Sequence, residues 1–257
     1  LLQGNMGYSY ISSIPASVQV FQKLPATLEL AVAASVVAVV LSIPLGVISA
    51  TRRHEPADYA ATSFSLLGIS TPNFWLGIML VLVFAVELNV FPTSGRAYGF
   101  MDSLAAITGP EPFFTVATAW LASLVLPAVT LGTYFTALIT RLVRSGMLDE
   151  LSAGYVRATR AKGLPETLVR YKHVLRNTLV PVVTVLGLQL GTLIGGAVIT
   201  EAVFAWPGLG TEIIRAINAR DWPILQGSLI VIGTGFVLLN IVVDALYAYL
   251  DPRVIAE

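Results

Sequence analysis

The chain has 257 residues, of which 56% are hydrophobic and only 12% are charged, and its formal net charge at pH 7 is zero. A soluble domain carries roughly twice that charged fraction, so the composition excludes an ordinary soluble protein and favours a helical integral membrane protein. The chain contains no cysteine, which excludes disulfides, thiolate nucleophiles and cysteine-based zinc sites.

The chain starts with a polar stretch that leads into the first apolar one. Residues 1–23 lack the basic start and apolar core of a signal peptide, so we expect a segment outside the membrane. The first predicted span is 24–50, with a first-turn proline at Pro25 and a kink at Pro44. Glu29 lies one turn inside this span, where an acid is a functional candidate. Snorkelling to the interface, or capping, is the interpretation that the position favours.

Four more apolar stretches bring the predicted number of spans to about five: 59–86, 113–140, 177–200 and 223–250. Each is long enough to cross the hydrocarbon core of a bilayer. Pro72 should break or kink the second span, and Ser70, Thr71 and Asn73 are available to satisfy the freed carbonyl groups. The predicted fold class is all-α, a polytopic transmembrane helical bundle.

The interval 141–176 is basic and separates the third and fourth spans. It holds eight of the chain's 15 lysines and arginines, and between residues 154 and 181 a single acid, Glu166, opposes six of them. Counted over the predicted spans, eleven bases lie on one side of the membrane and four on the other. Because basic loops stay in the cytoplasm, we predict that 141–176 is cytoplasmic and that residues 1–23 are extracytoplasmic. Attraction to anionic lipid is the simplest interpretation of this charge.

The order of residues within this interval predicts helix, break and helix. Good helix formers occupy 155–162, Gly163 is a candidate C-cap, and Pro165 is a candidate first-turn proline. Helical composition then resumes over 166–177. A short helix bracketed in this way would lie across the membrane surface as a rigid knob.

The fourth span has glycines at four-residue spacing, which leave one helix face bare for another helix backbone. This face either packs within the chain or forms a seam with a second subunit, and polar residues near it could line a route for solute. The candidate residues for the seam or the translocation path are Gly187, Gln189, Gly191, Thr192 and Gly195.

The segment 201–222 follows this span and contains an acid and several turn residues. Glu201 stands at the predicted membrane boundary, where solvation is the simpler interpretation and a hydrogen bond that holds a gate is the functional one. Thr211 is predicted to cap a short helix that ends at Ala219. The candidate gate residues are Glu201, Pro207, Gly208 and Gly210.

The stretch YVRATRAKGL, followed by HVLRNTLVPVVT, closely resembles the signature loop of ABC importer permeases of the dipeptide, oligopeptide and nickel branch. In that family the loop holds the coupling helix, which docks on the ATPase subunit. Gly163 matches the signature glycine. The family's Glu-Ala-Ala triplet reads Arg-Ala-Thr here, so the acid is absent. The resemblance implies that the ATPase contacts are Arg157, Ala158, Thr159, Arg160, Ala161, Lys162, Gly163 and Leu164.

The resemblance covers nearly all of the chain, including FPTSGR, the PGLG turn and the ending DPRVIAE. It implies the type I ABC importer permease fold over 24–257, with a further helix before the present N-terminus. It also implies a second related permease, two ATPase subunits and an extracytoplasmic solute-binding protein in a bacterial or archaeal cytoplasmic membrane. The implied function is ATP-driven import of di- or oligopeptides or a related small solute.

Several chemistries have no signature in this sequence. A Walker-type phosphate loop, HExxH and GxSxG are all absent, so we expect no ATP hydrolysis or other enzyme activity, no cofactor or metal and no nucleic acid partner. The alternative function is a self-sufficient secondary transporter, whose ion site would use helices broken at Pro44, Pro72 or Pro127. The two halves of the sequence show no convincing repeat that would support it.

Overall fold

The computed structural model describes residues 6–110 and 112–250, and for 190, 192–196, 244 and 246–250 it describes only the backbone. The described chain consists of helices joined by turns and loops, with an isolated antiparallel bridge between Tyr8 and Pro15. Wide π-helical turns, Val81–Glu87 and Val169–Val174, follow α3 and α7. The helices are α1 Ala16–Thr51, α2 Pro56–Ser70, α3 Asn73–Leu80, α4 Phe100–Ala105, α5 Phe113–Ser152, α6 Gly154–Ala161, α7 Glu166–Leu168, α8 Leu175–Val203, α9 Leu209–Ala219 and α10 Trp222–Leu250.

Among the described residues, three helices are long and apolar enough to cross a membrane, namely Ala16–Thr51, Phe113–Ser152 and Trp222–Val243. Helices α2 and α3 form a fourth candidate if the break between them lies within one span. Helix α8 has 29 residues and covers the remaining predicted span, 177–200. The predicted all-α, polytopic class is confirmed.

Two helices extend beyond the predicted spans. Helix α1 begins at Ala16 rather than at residue 24, so Pro25 lies well inside the helix and not in its first turn. Helix α5 continues to Ser152, whereas the two arginines after Thr140 predict an end there. The residues beyond Thr140 include many good helix formers, and the helix outlasts the apolar stretch for that reason.

Pro72 breaks the helix as predicted. Helix α2 ends at Ser70 and α3 begins at Asn73. The hydroxyl of Thr71 donates to the carbonyl oxygen of Leu67 at 2.7 Å, and the N–H of Thr71 donates to the same oxygen at 2.9 Å, so Thr71 closes the last turn of α2. Helices α1 and α5, in contrast, run through Pro44 and Pro127 without interruption.

The chain divides into two compact units, and the first contains Leu1–Ala34, Pro72–Gly132 and Leu190–Leu238. Its interior holds two large aromatic side chains, Trp206 and Phe204, each at most 2% exposed. Phe204 packs with Ala85 and Leu126. Leu30, Val116, Leu131 and Leu209 are also fully buried in this unit.

The second unit contains Ser35–Thr71, Thr133–Gln189 and Leu239–Glu257. Within this unit, an ion pair with a buried carboxylate joins α2 to α5. Arg144 of α5 donates to both carboxylate oxygens of Asp58, Nε to Oδ1 at 2.8 Å and Nη2 to Oδ2 at 3.0 Å. The Asp58 side chain is only 4% exposed, so this two-point pair fixes the start of α2 against α5.

Helix α1 keeps an exposed apolar face. Val32, Val36 and Val40 are 60%, 55% and 61% exposed and recur every four residues, which places them on one side of the helix. An exposed apolar stripe of this length suits contact with lipid or with another membrane helix.

The glycine face of α8 approaches α10 closely. In the second unit, a Cβ atom added at Gly187 would come within 3.0 Å of Val243. In the first unit, a Cβ at Gly191 would lie 2.6 Å from the ring of Phe236. The interpretation of packing within the chain therefore accounts for both positions. Gln189 is half-buried, and Thr192 and Gly195 belong to the part of α8 for which only the backbone is described.

We predict that Gly191→Ala lowers the thermal stability of the purified permease, because the new methyl group overlaps the Phe236 ring; overpacking of this kind costs about 1–3 kcal/mol. Gly191→Leu adds a larger side chain and should lower the thermal stability further. Gly191→Ala with Phe236→Leu should recover stability, since the ring is removed. Gly233→Ala is the matched control, because a Cβ there meets nothing within 4 Å. Equal unfolding temperatures for the wild type and Gly191→Ala would contradict the packing.

Candidate functional site

The segment that carries the sequence signature folds as a short helix, a tight turn and a second helix. Helix α6, Gly154–Ala161, matches the predicted 155–162 to within a residue. Gly163 follows with φ of +75°, a left-handed conformation that favours glycine, and its N–H bonds the carbonyl of Arg160 at 2.9 Å. Pro165 then stands at the N-cap of α7 rather than at its first helical position.

Helix α6 presents most of its side chains to solvent. Val156 is buried and anchors the helix. A Cβ at Gly163 would meet nothing within 4 Å, so the space above this turn is open. The residues implied in ATPase docking are mostly exposed, namely Arg157, Ala158, Arg160, Ala161, Lys162 and Gly163, and Thr159 and Leu164 are half-buried.

The single acid of this loop binds two of its bases. Arg160 donates to Glu166 through Nε at 3.1 Å and Nη2 at 2.8 Å, and Arg170 donates to the same carboxylate at 2.8 Å. Arg160, followed by Arg170, lowers the pKa of Glu166 to about 2, so the carboxylate is ionised at any physiological pH. Solvent screens the pairs because the Glu166 side chain is 40% exposed. They nevertheless connect α6 to α7 across the Gly163 turn.

A second polar group holds the base of the loop. The Tyr155 hydroxyl donates to the Glu150 carboxylate, and Nδ2 of Asn177 donates to the Tyr155 oxygen at 3.2 Å. Burial, and then the acid beside it, raise the pKa of Tyr155. The last turns of α5, the first turn of α6 and the start of α8 are thereby joined, so α6 projects from a fixed support.

The candidate gate segment has a buried acid at its centre. Glu201 is 0% exposed, so the interpretation of a solvated interfacial acid is wrong. Its carboxylate accepts hydrogen bonds from the Thr27 hydroxyl at 2.6 Å and the Thr211 N–H at 3.0 Å, and the backbone of Gly210 also donates to it. These neutral donors satisfy a charge that burial would otherwise disfavour.

The glycines of this segment make room for that carboxylate. A Cβ at Gly208 would come within 3.0 Å of the Glu201 carboxylate, and one at Gly210 would meet both Glu201 and the backbone of Val198. Pro207 beside them is half-buried. The N-cap of α9 is Gly208. The prediction that Thr211 caps this helix is therefore wrong.

The same segment is tied to one turn of α1. The indole N–H of Trp206 donates to the carbonyl of Ala26 at 2.8 Å, and the Leu209 N–H donates to the Thr27 hydroxyl at 2.8 Å. Sequence reasoning missed Thr27 and Trp206, because neither carries a local pattern that indicates its partner. Among the described residues, no group of three His, Asp or Glu side chains is placed to hold a metal ion.

Known proteins match the chain over nearly its whole length. The profile of the family described as "Binding-protein-dependent transport system inner membrane component" matches residues 42–256. The chain is similar to the dipeptide transport system permease protein DppB of Escherichia coli, with 41% identity over 266 residues, 99% of this chain and 78% of that protein. It is also 38% identical to the oligopeptide transport system permease protein AppB of Bacillus subtilis, over 99% of this chain and 77% of that protein.

A solved structure shares the fold. A chain of the MetNI methionine ABC transporter in an inward-facing conformation superposes with a TM-score of 0.69 and 18% identity, over 91% of this chain and 97% of that chain. The predicted ABC importer permease fold is thereby confirmed. The family consists of permeases, which are not themselves catalytic, and its members work with a binding protein. The alternative of a self-sufficient secondary transporter is therefore excluded. The chain belongs to the inner membrane permease components of binding-protein-dependent ABC transport systems.

Proposed function

We propose that this chain is one of two related permease subunits of an ATP-driven importer of di- or oligopeptides. The other members are two ATPase subunits, which hydrolyse ATP, and an extracytoplasmic solute-binding protein. The solute class rests on the peptide permeases that are about 40% identical to the chain over 99% of its length. The test is to reconstitute the chain with its partners in liposomes and to measure peptide uptake and peptide-stimulated ATP hydrolysis. ATP-dependent uptake of peptide is the expected result.

The observation that carries the mechanism is the exposed helix α6 with its left-handed terminus at Gly163. A rigid knob that fits a cleft on the ATPase would pass closure of the ATPase dimer to the permease helices. Ligand-driven alternation needs contacts that differ between the two states. Arg157, Ala158 and Ala161 and their neighbours up to Leu164 supply the docking surface on this side.

The proposed topology places α6 in the cytoplasm and the N-terminal segment outside, as the distribution of bases requires. Two exposed positions test it in this cysteine-free chain. Tyr10→Cys should react with a membrane-impermeant maleimide on intact cells, whereas Ala158→Cys should react only after permeabilisation. Labelling of position 158 from outside intact cells would reject this orientation.

We predict that Gly163→Ala uncouples the transporter, because alanine resists the left-handed backbone that ends α6. Gly154→Ala is the matched control, since a Cβ meets nothing within 4 Å at either position and only Gly163 has a positive φ. Gly163→Val should act more strongly. The measurements are co-purification of the ATPase with the permease and the ratio of peptide-stimulated to basal ATP hydrolysis.

Gly163→Asn separates backbone conformation from docking space, because asparagine tolerates the left-handed region but adds a side chain. If asparagine preserves coupling, the conformation is what matters; if it uncouples as alanine does, the ATPase occupies the open space. Lys162→Glu is the cleaner test of charge, since Arg160 is engaged with Glu166. Full coupling in Gly163→Val, with loss only in Lys162→Glu, would favour a lipid-binding patch instead.

The outer gate is proposed to lie in the segment 201–222, with Glu201, Pro207, Gly208 and Gly210 at its centre. Its support is the buried carboxylate that fixes the backbone from Gly210 to Thr211 onto α1. Since side chains of α10 fill the space at Gly187 and Gly191, the proposed subunit seam or translocation path on the α8 face is left to Gln189, Thr192 and Gly195.

We predict that Glu201→Gln loosens this segment. The carboxylate accepts hydrogen bonds on both oxygens, whereas the glutamine NH₂ group is a donor and would face another N–H or O–H donor. An unsatisfied buried group costs about 1–3 kcal/mol. Basal ATP hydrolysis of the assembled complex should therefore change, and peptide transport should fall. Glu212→Gln is the control, since Glu212 is similarly buried but bonds the exposed Arg215. If Glu201→Gln leaves both rates at wild-type values, the gating role fails.

A further inference from the structure

Glu29 of α1 has partners that its position in the sequence does not reveal. Snorkelling or capping is the expectation for an acid one turn inside a span, yet the Glu29 side chain is only 8% exposed. One carboxylate oxygen accepts a hydrogen bond from Arg96 and the other accepts one from the indole N–H of Trp120. Glu29 is therefore paired within the protein rather than with solvent.

Arg96 belongs to the loop between α3 and α4 and makes a second contact. Its guanidinium lies over the ring of Trp206, 5.8 Å from the centroid, in cation–π geometry. The N–H of Gly95, just before it, donates to the carbonyl of Phe204 at 2.8 Å. Arg96 thus connects the loop with both α1 and the start of the proposed gate segment.

Gly99 leaves the space that the guanidinium occupies. A Cβ at this position would come within 3.0 Å of the Arg96 side chain. The backbone of Gly99 has no left-handed conformation that would itself require glycine. Residue 99 therefore has to lack a side chain for the guanidinium of Arg96 to fit where it lies.

The bond between Arg96 and Glu29 is a single contact. Only Nη2 of Arg96 reaches the acid, and Nε is buried without a hydrogen-bond partner among the described residues. In the second unit, Arg144 binds Asp58 through two nitrogens. Two-point pairs are stronger and more rigid, and an unpaired buried N–H offsets part of what a pair contributes. Of these two ion pairs, the one between Arg96 and Glu29 is therefore the easier to break.

We propose that Arg96 is a positioning residue of the outer gate. Its ion pair with Glu29 holds the loop 91–99 and the Trp206 segment closed until the solute-loaded binding protein engages the transporter. Release of this pair is then part of the transition that admits solute. The inference rests on the proposed function, because a gate has meaning only in a solute transporter.

The test uses the complete transporter in lipid nanodiscs, with ATP hydrolysis measured without and with the peptide-loaded binding protein. Arg96→Gln should raise the basal rate by about fivefold or more, the low end of typical couplings between sites, and should reduce the stimulation ratio. Glu29→Gln should do the same, and the double variant should do no more than either alone, because all three remove one interaction. The exchanged pair Glu29→Arg with Arg96→Glu should return the basal rate towards that of the wild type.

Two controls separate the gate from mere structure. Arg53→Gln removes an exposed base outside the gate segment whose side chain makes no ion pair or hydrogen bond with the described chain, and it should leave the basal rate unchanged. Gly99→Ala displaces the guanidinium without changing charge and should reproduce Arg96→Gln, whereas Gly233→Ala should not. Complex yield is measured for every variant.

The outcomes are distinguishable. A wild-type complex that peptide does not stimulate rejects the proposed function and leaves the Arg96 variants without a gate to report on, so the inference falls with it. A stimulated wild type with an unchanged basal rate in Arg96→Gln overturns the inference alone. A loss of complex yield in the single variants, with a normal stimulation ratio in the double variant, also overturns it, since the pair would then serve only folding.

Discussion

One turn of α1 fixes the surroundings of the proposed gate. The carbonyl of Ala26 accepts from Trp206, the hydroxyl of Thr27 binds Glu201 and Leu209, and the Glu29 carboxylate binds Arg96 and Trp120. Buried polar groups need partners, and losing one leaves another buried and unpaired. The positions of the loop after α3 and of the segment after α8 are therefore coupled through this turn.

The proposed docking loop is stabilised by ion pairs between its own residues. Its bases are partly neutralised within the loop, since Arg160 and Arg170 share Glu166, whereas Arg157 and Lys162 beside them form no ion pair within the described chain. Ala158 and Ala161 lie between them and are small and exposed. In the proposed function, such a surface recognises the ATPase mainly by shape, and we then expect the missing acid of the family's triplet to weaken docking less than its charge suggests.

Local features of the sequence were sufficient for part of this structure. The Gly163 turn and the break at Pro72 each depend on the conformational preference of one residue and its neighbours, and both are observed. The apolar stretches predicted the helical class for the same reason. The start of α1 and the end of α5 were missed because helix formers extend beyond the apolar stretch that marks a span.

The buried acids could not be predicted in this way. Glu29 and Arg96 are 67 residues apart, and Glu201 and Thr27 are 174 apart. An acid near the end of an apolar stretch looks alike whether it faces water or a partner, and only the fold decides which. The glycines near Glu201 held the available clue, since PGLG supplies space as well as a turn.

In both units, glycines leave space that a neighbouring side chain fills. Gly208, Gly210 and Gly99 admit charged side chains, and Gly187 and Gly191 admit the side chains of α10. Gly163 differs from these, since its neighbourhood is empty within the chain and its backbone is left-handed. Gly95 shares both features, so they are typical of a turn, and the docking role of Gly163 rests on the proposed function. The geometry therefore separates glycines that serve packing from glycines that serve turns, a distinction that spacing in the sequence does not provide.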